Sequence, residues 1–112
     1  MKFSQKDLVL LPYPFSNLKG VKVRPALVIS GDKFNFKSRD LVMVPLTSVI
    51  RDEPFSIVIE QENLSSGKLV KTSRVRTAKV FCIDRGLIKM KIGRLENDCF
   101  GKVMKEVLRV FD

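Results

Sequence analysis

The fold of this chain is decided by a short apolar stretch near its middle, Leu41-Val42-Met43-Val44-Pro45-Leu46-Thr47. Its length and its content of β-branched residues favour a strand over a helix, because strands usually run about four to eight residues. Pro45 has no backbone N–H to give to a neighbouring strand. This predicts that the strand lies at a sheet edge or carries a bulge at that point.

Similar apolar runs lie on both sides of this stretch, and proline and glycine separate them. They cover residues 7–11, 26–30 and 55–60, one or two strands within 74–83, and residues 88–92. The last run alternates apolar and basic side chains, which is typical of a half-buried strand with one wet face. We therefore expect roughly the first ninety residues to form short strands separated by turns.

The hydrophobic period changes near the C-terminus. Apolar residues recur there at the i, i+3, i+4, i+7 spacing of one helical face; they are Phe100, Val103, Met104, Val107, Leu108 and Phe111. Asn97 or Asp98 can cap a helix over residues 97–111, and its wide apolar stripe requires a sheet to pack against. The expected fold is mainly β, a small barrel of twisted antiparallel strands closed by one C-terminal helix.

Composition limits the chemistry that this chain can perform. Its 112 residues, 45% of them hydrophobic, fit one domain over residues 1–112 and leave no room for a separate cofactor domain. The absence of histidine excludes Ser-His and Cys-His nucleophiles, His-containing zinc sites and nucleases with two histidines. Cys82 and Cys99 are too far apart for a metal-ligand pair, so we expect free thiols, no metal and no cofactor.

Charge is the second constraint on function. The chain has 21 Lys and Arg residues against 12 Asp and Glu residues, a formal net charge of +9. Such a domain favours an acidic partner, most often a nucleic acid and less often a membrane surface or an acidic protein. The alternative is a basic domain without such a partner. We find neither a signal peptide nor an apolar run near the roughly 20 residues of a membrane span, and expect a cytoplasmic protein without membrane contact.

Residues 11–20 form a proline-stiffened loop between the first two predicted strands. Its turn-forming residues are Ser16, Asn17 and Gly20. Tyr13 and Phe15 can stack on unpaired bases, as aromatic side chains of RNA-binding proteins do. Alternatively they fold inward and anchor the loop on the core. The inward position is favoured for Phe15, and both stay open for Tyr13.

Two strand ends carry residues suited to phosphate chemistry. Arg24 precedes Pro25, which holds it extended at the start of a strand, and its guanidinium can present a fork of donors to a phosphate. At the end of the central stretch, Thr47 and Ser48 offer two hydroxyls and are followed by Arg51. These groups can bind a phosphate oxygen or relay a proton. The alternatives are a solvated arginine and an ordinary capped strand end.

One segment of the chain concentrates positive charge. No Asp or Glu occurs between Asn63 and Ile83, and the five basic residues there, which we call the basic segment, are Lys68, Lys71, Arg74, Arg76 and Lys79. Arg74 and Arg76 are two residues apart and share one face of a strand. The segment suits contact with a nucleic-acid backbone. The alternative is a solvated strand face.

Four motifs follow one another along the chain. They are Asp7-Leu8-Val9-Leu10-Leu11-Pro12-Tyr13-Pro14-Phe15-Ser16, Arg24-Pro25-Ala26-Leu27-Val28-Ile29-Ser30, Val44-Pro45-Leu46-Thr47-Ser48, and Lys91-Ile92-Gly93-Arg94-Leu95 before a helix. In this order they resemble the PemK/MazF family of toxins over nearly the whole chain. The second and third motifs are the specific part. The resemblance implies an SH3-like barrel, usually a homodimer, and a ribosome-independent endoribonuclease of a bacterial toxin–antitoxin system.

The resemblance places the family's catalytic arginine at Arg24 and its catalytic threonine at Thr47, with Ser48 beside it. It implies metal-independent cleavage of single-stranded RNA by the ribose 2′-hydroxyl, which leaves a cyclic phosphate and a 5′-hydroxyl. Arg24 would stabilise the phosphorane and donate to the leaving oxygen, and Thr47 would hydrogen-bond a non-bridging oxygen. The expected RNA contacts are Tyr13, Ser16, Asn17, Lys19, Lys22, Arg51, Lys71, Arg74 and Arg76.

One departure from the family leaves the general base unassigned. Some members carry a Glu five residues before the arginine; here that position is Lys19, and no acid lies between Leu8 and Gly31. The missing acid keeps open a toxin fold that acts by binding alone, as a gyrase poison or as an RNA-binding barrel. The resemblance also implies an acidic antitoxin, whose disordered segment would fold over the phosphate-attracting groove.

Overall fold

The computed structural model of the protein describes residues 2–12, 23–49 and 51–112. These residues contain eight strands and two α-helices. The strands are β1 (Asp7–Pro12), β2 (Val23–Val28), β3 (Asp40–Thr47), β4 (Ser56–Ile59), β5 (Leu64–Gly67), β6 (Ser73–Arg76), β7 (Phe81–Asp84) and β8 (Met90–Leu95). The helices are α1 (Asp32–Lys37) and α2 (Asn97–Arg109), and short 3₁₀ turns cover Gln61–Asn63 and Arg85–Leu87.

The strands form one curled antiparallel sheet. Its order is β4-β6-β3-β2-β1-β8-β5, and β7 pairs with the first half of β3. Helix α2 packs against one face of this sheet and touches β4 at the sheet edge. The predicted mainly β fold, with twisted antiparallel strands closed by a C-terminal helix, is confirmed. Within the described ranges, neither helix is long and apolar enough to cross a membrane.

Strand β3 lies inside the sheet, so the edge position predicted from Pro45 is wrong. On one side β3 pairs with β2, where Ala26 faces Pro45. On the other side it pairs with β7 over residues 40–43 and with β6 over residues 46–47. Pro45 falls between these two partners. A proline is tolerated there because the hydrogen-bond ladder is already interrupted.

Alternating side chains of the central strands supply two separate cores. The first core packs on α2 and contains Leu8, Leu27, Val44, Leu46, Val75, Phe100, Val103 and Val107. The second core lies on the opposite face of the sheet and contains Phe3, Val9, Leu11, Ala26, Val28, Met43, Phe81, Ile83 and Ile88. Burying one such Leu or Val side chain completely contributes about 1.5–3 kcal/mol to stability.

Helix α2 begins as predicted but has a different cap. The N-cap is Glu96, whose side chain accepts a hydrogen bond from Cys99 N at 2.8 Å. The predicted caps, Asn97 and Asp98, are already inside the helix. Asn97 Oδ1 accepts instead from Lys6 Nζ at 2.8 Å.

The buried stripe of α2 is rotated relative to the prediction. Cys99 is buried, which extends the buried face away from Leu108, and Leu108 is 63% exposed. Phe111 follows the helix end and is 73% exposed. Both thiols are free; Cys82 is exposed, and burial raises the pKa of the Cys99 thiol.

The cap assignment can be tested by thermal unfolding. We expect Glu96→Ala to lower the free energy of unfolding by about 1 kcal/mol, because Cys99 N loses its acceptor. For a domain of this size the melting temperature should fall by about 4 °C. Glu96→Gln keeps an acceptor oxygen and should lose less. A larger loss in Asp98→Ala than in Glu96→Ala would refute the assignment.

Candidate active site

Two of the predicted site residues, Thr47 and Arg74, are paired across neighbouring strands, and Arg24 lies on the next strand of the sheet. The register of β3 with β6 pairs Thr47 with Arg74. The paired residues of β2 and β3 end at Ala26 and Pro45. If the register is extended by two residues, Arg24 stands opposite Thr47. Directly opposed residues of antiparallel strands point to the same face of the sheet. We call Arg24, Thr47 and Arg74 the polar row.

The polar row lies on the sheet face that carries the second core, away from α2. The neighbours Leu46 and Val75 belong to the first core, so Thr47 and Arg74 point the other way. Arg24 is exposed, and Thr47 and Arg74 are half-buried. The apolar packing of the second core thus ends at this row. Beyond it, at the solvent-accessible rim of the sheet, the three side chains are polar.

A pocket of about 290 Å³ adjoins the polar row. It is lined by Thr47, Val49, Arg51, Glu53 and Arg76, and we call it the Thr47 pocket. Thr47 Oγ1 accepts a hydrogen bond from Val49 N at 3.2 Å. A hydroxyl that accepts one hydrogen bond still has its proton to donate. The pocket therefore joins a candidate catalytic hydroxyl to two of the predicted RNA-binding arginines.

Glu53 is the one charged residue of this pocket to which the sequence assigned no role. Its Oε2 accepts a hydrogen bond from Arg76 Nε at 3.0 Å. The Arg76 and Glu53 side chains are 33% and 27% exposed, so solvent screens this ion pair only in part. The pair anchors the loop between β3 and β4 on β6. Arg76, which the sequence predicts as an RNA contact, is therefore already paired with an acid of its own chain.

Ser56 connects this loop to the polar row. Arg74 Nη1 donates to Ser56 Oγ at 2.8 Å, and Ser56 Oγ donates to the main-chain oxygen of Glu53. In the part of the chain that the structure describes, Arg74 Nε is buried and has no hydrogen-bond partner. Arg74 is thus fixed in position with a donor unsatisfied, which is unusual for a buried polar atom.

The remaining predicted residues lie around this site or outside the described ranges. Ser48 is exposed beside Thr47 and does not line the pocket, and Lys71 is exposed on the bend before β6. Tyr13, Phe15, Ser16, Asn17, Lys19 and Lys22 lie outside the described residues. Within residues 2–12, 23–49 and 51–112, no three His, Cys, Asp or Glu residues form a group that could hold a metal ion.

The chain matches a known protein family over almost its entire length. Residues 4–111 match the PemK-like, MazF-like toxins of type II toxin–antitoxin systems. The chain belongs to this family. The resemblance drawn from the four motifs is confirmed. No curated protein matches the sequence.

Solved toxin structures share the fold. The MazE–MazF complex (form III) of Deinococcus radiodurans aligns with a TM-score of 0.80 at 19% identity, over 99% of this chain and 97% of that one. An endoribonuclease in complex with its cognate antitoxin, from a mycobacterial species, gives 0.78 at 16% identity, over 96% and 93% of the two chains. The Mycobacterium tuberculosis toxin MazF-mt6 gives 0.76 at 16% identity, over 95% and 96%. At these identities the alignments establish the fold alone.

The geometry of the site predicts a stabilising role for Ser56. We expect Ser56→Ala to lower the free energy of unfolding by about 1–2 kcal/mol, because the Arg74 guanidinium and the Glu53 main chain both lose a partner. Ser66 is exposed on β5, and Ser66→Ala should cost less than about 0.5 kcal/mol. Urea denaturation compares the two variants. Equal losses would show that the Ser56 contacts do not anchor the loop.

Proposed function

We propose that the protein is a sequence-selective, metal-independent endoribonuclease that cleaves single-stranded RNA and is inhibited by a cognate antitoxin. Membership of the MazF-like toxins supports the class of activity. The observation that carries the assignment is the polar row, in which Arg24, Thr47 and Arg74 face one rim of the sheet beside the Thr47 pocket.

The proposed reaction suits a protein without histidine. The nucleophile is the ribose 2′-hydroxyl of the RNA, so the protein needs to orient it and to stabilise charge on the phosphorane. The O2′–P bond forms and the P–O5′ bond breaks, which yields a cyclic phosphate and a 5′-hydroxyl. Arg24 and Thr47 donate hydrogen bonds to the phosphorane oxygens, and the leaving 5′-oxygen takes a proton from water at the open rim.

Positive charge around the site supports binding of the RNA backbone. Arg51 and Arg76 line the Thr47 pocket, and the exposed Lys71 precedes β6. Glu53 partly neutralises the positive charge of Arg76. Electrostatic attraction of the RNA backbone therefore depends more on Arg51, on Lys71 and on the net charge of +9. In this role these residues bind the backbone of any RNA, and base selection depends on other contacts.

The same surface suits the proposed antitoxin. A surface that attracts phosphates also attracts a disordered acidic segment, which can fold on binding and cover the polar row. Two of the similar solved structures are toxins in complex with antitoxins, which supports a partner of this kind. We further propose that the protein acts as a homodimer without membrane contact.

Single-turnover cleavage of a short RNA in EDTA tests the activity and the site together. We expect Arg24→Lys and Thr47→Ala to bind RNA almost normally and to cleave it roughly a hundredfold more slowly, the effect of losing one oriented donor to the phosphorane. Thr47→Ser should be mild because the hydroxyl remains. Arg39 is exposed and paired with Asp84, so Arg39→Lys is the matched control and should cleave normally.

Two results would contradict the proposal. RNA that stays intact with the wild-type protein would favour the alternative class, a toxin fold that acts by binding alone, and a gyrase-inhibition assay would identify one such activity. Normal cleavage by Arg24→Lys would instead remove Arg24 from the mechanism, because the lysine keeps the charge but lacks the two-pronged guanidinium.

A further inference from the structure

The proposed reaction needs a group that accepts the proton of the 2′-hydroxyl. The chain has no histidine, and all 12 of its Asp and Glu residues lie in the described ranges. Several of these acids have other roles: Asp7 pairs with Lys91 and Arg94, Asp84 pairs with Arg39, and Glu96 caps α2. The buried Cys99 lies in the first core, on the other face of the sheet.

Glu53 is the acid that shares a pocket with the polar row. It lines the Thr47 pocket together with Thr47 itself, while the adjacent Asp52 is exposed and does not line it. The pocket volume of about 290 Å³ equals that of roughly ten water molecules, so a nucleotide group can enter it. A general base must come within hydrogen-bond reach of the proton that it takes, and Glu53 lines the same pocket as Thr47.

The ion pair with Arg76 orients the Glu53 carboxylate. Arg76 Nε binds Oε2 at 3.0 Å, which leaves Oε1 as the oxygen that can accept from a substrate hydroxyl. The Nη groups of Arg76 remain donors for a phosphate. Further support comes from the loop itself, since the Glu53 main-chain oxygen accepts from Ser56 Oγ, which Arg74 Nη1 binds at 2.8 Å.

We propose that Glu53 is the general base of the RNA cleavage and that Arg76 is its positioning residue. This inference rests on the proposed endoribonuclease function. The Glu53 carboxylate takes the proton of the 2′-hydroxyl as the O2′–P bond forms, and it returns this proton to solvent after the P–O5′ bond has broken. The leaving 5′-oxygen takes its proton from water, so the protein is unchanged at the end of the cycle.

Charged groups approach Glu53 from several elements of the fold. Arg76 faces it from β6, Arg51 shares its pocket, and Arg74 reaches its main chain through Ser56. From α2, Arg109 stacks on the ring of Phe55 at 5.2 Å, close to the same loop. A general base acts only when it is deprotonated, so we expect the wild-type rate to have an acidic limb that Glu53→Gln lacks.

The test is single-turnover cleavage across a pH series. Glu53→Gln keeps the size of the side chain and an oxygen that accepts from Arg76, but it cannot take a proton. We expect its rate to fall roughly a hundredfold or more, the scale of a lost general base, and the acidic limb of the profile to disappear. Affinity for an RNA with a 2′-deoxy group at the cleavage site should not fall, because the variant removes a negative charge beside Arg76.

Asp52→Asn is the matched control, because it removes the neighbouring acid outside the pocket, and its rate should remain within about twofold of the wild type. Glu53→Asp should retain part of the rate and the acidic limb, since a carboxylate is still present. Formate should raise the rate of Glu53→Ala but not that of Thr47→Ala, because it supplies a carboxylate only where one has been removed.

The possible failures are distinguishable. If the wild type cleaves and Glu53→Gln cleaves equally fast, Glu53 is not the base while the proposed endoribonuclease stands. If Glu53→Gln does not fold, the same decision rests on Glu53→Asp: loss of the acidic limb in that variant would overturn the proposal. If the wild type binds the RNA and leaves it intact, the proposed function fails, and the assignment of a base fails with it.

Discussion

The pairing of β3 with its neighbours on both sides is the constraint on which the rest of the structure depends. Its register with β2 and with β6 decides which side chains face α2 and which face the second core. A shift of β3 by one residue would exchange its two faces, turning Thr47 toward the first core and Leu46 away from it. The first core therefore does more than stabilise the sheet. Its apolar side chains fix the register that brings the polar row to one rim.

Much of the fold follows from local signals that the sequence carries plainly. The apolar run of β3 and the helical spacing of α2 each require burial, so both elements could be predicted. Helix α1 could not, since its buried residue is Asn35, which donates to the Ser30 main chain at 2.9 Å, while Phe36 is exposed. Strand β5 also lacks a hydrophobic pattern from which it could be predicted. It pairs with β8 by a close approach of Gly67 to Gly93, a contact that no hydrophobic pattern reports.

In the candidate site too, some residues could be predicted from the sequence and others could not. Arg24 and Thr47 are recognisable because each stands at the end of an apolar strand, beside a proline or a second hydroxyl. Glu53 is separated from the catalytic candidates by a loop, and only the folded chain brings it to the pocket of Thr47. Its role as partner of Arg76 depends on a contact between residues 23 positions apart, to which spacing along the sequence gives no guide.

We expect the polar row and the Thr47 pocket to hold one scissile phosphate between them. The decisive measurement is a crystal structure with an RNA that carries a 2′-deoxy group at the cleavage site. Phosphate oxygens should lie about 3 Å from the Arg24 guanidinium and from Thr47 Oγ1, with C2′ of the preceding ribose facing Glu53. A scissile phosphate bound on another face of the sheet, with the polar row in contact with solvent alone, would contradict this expectation.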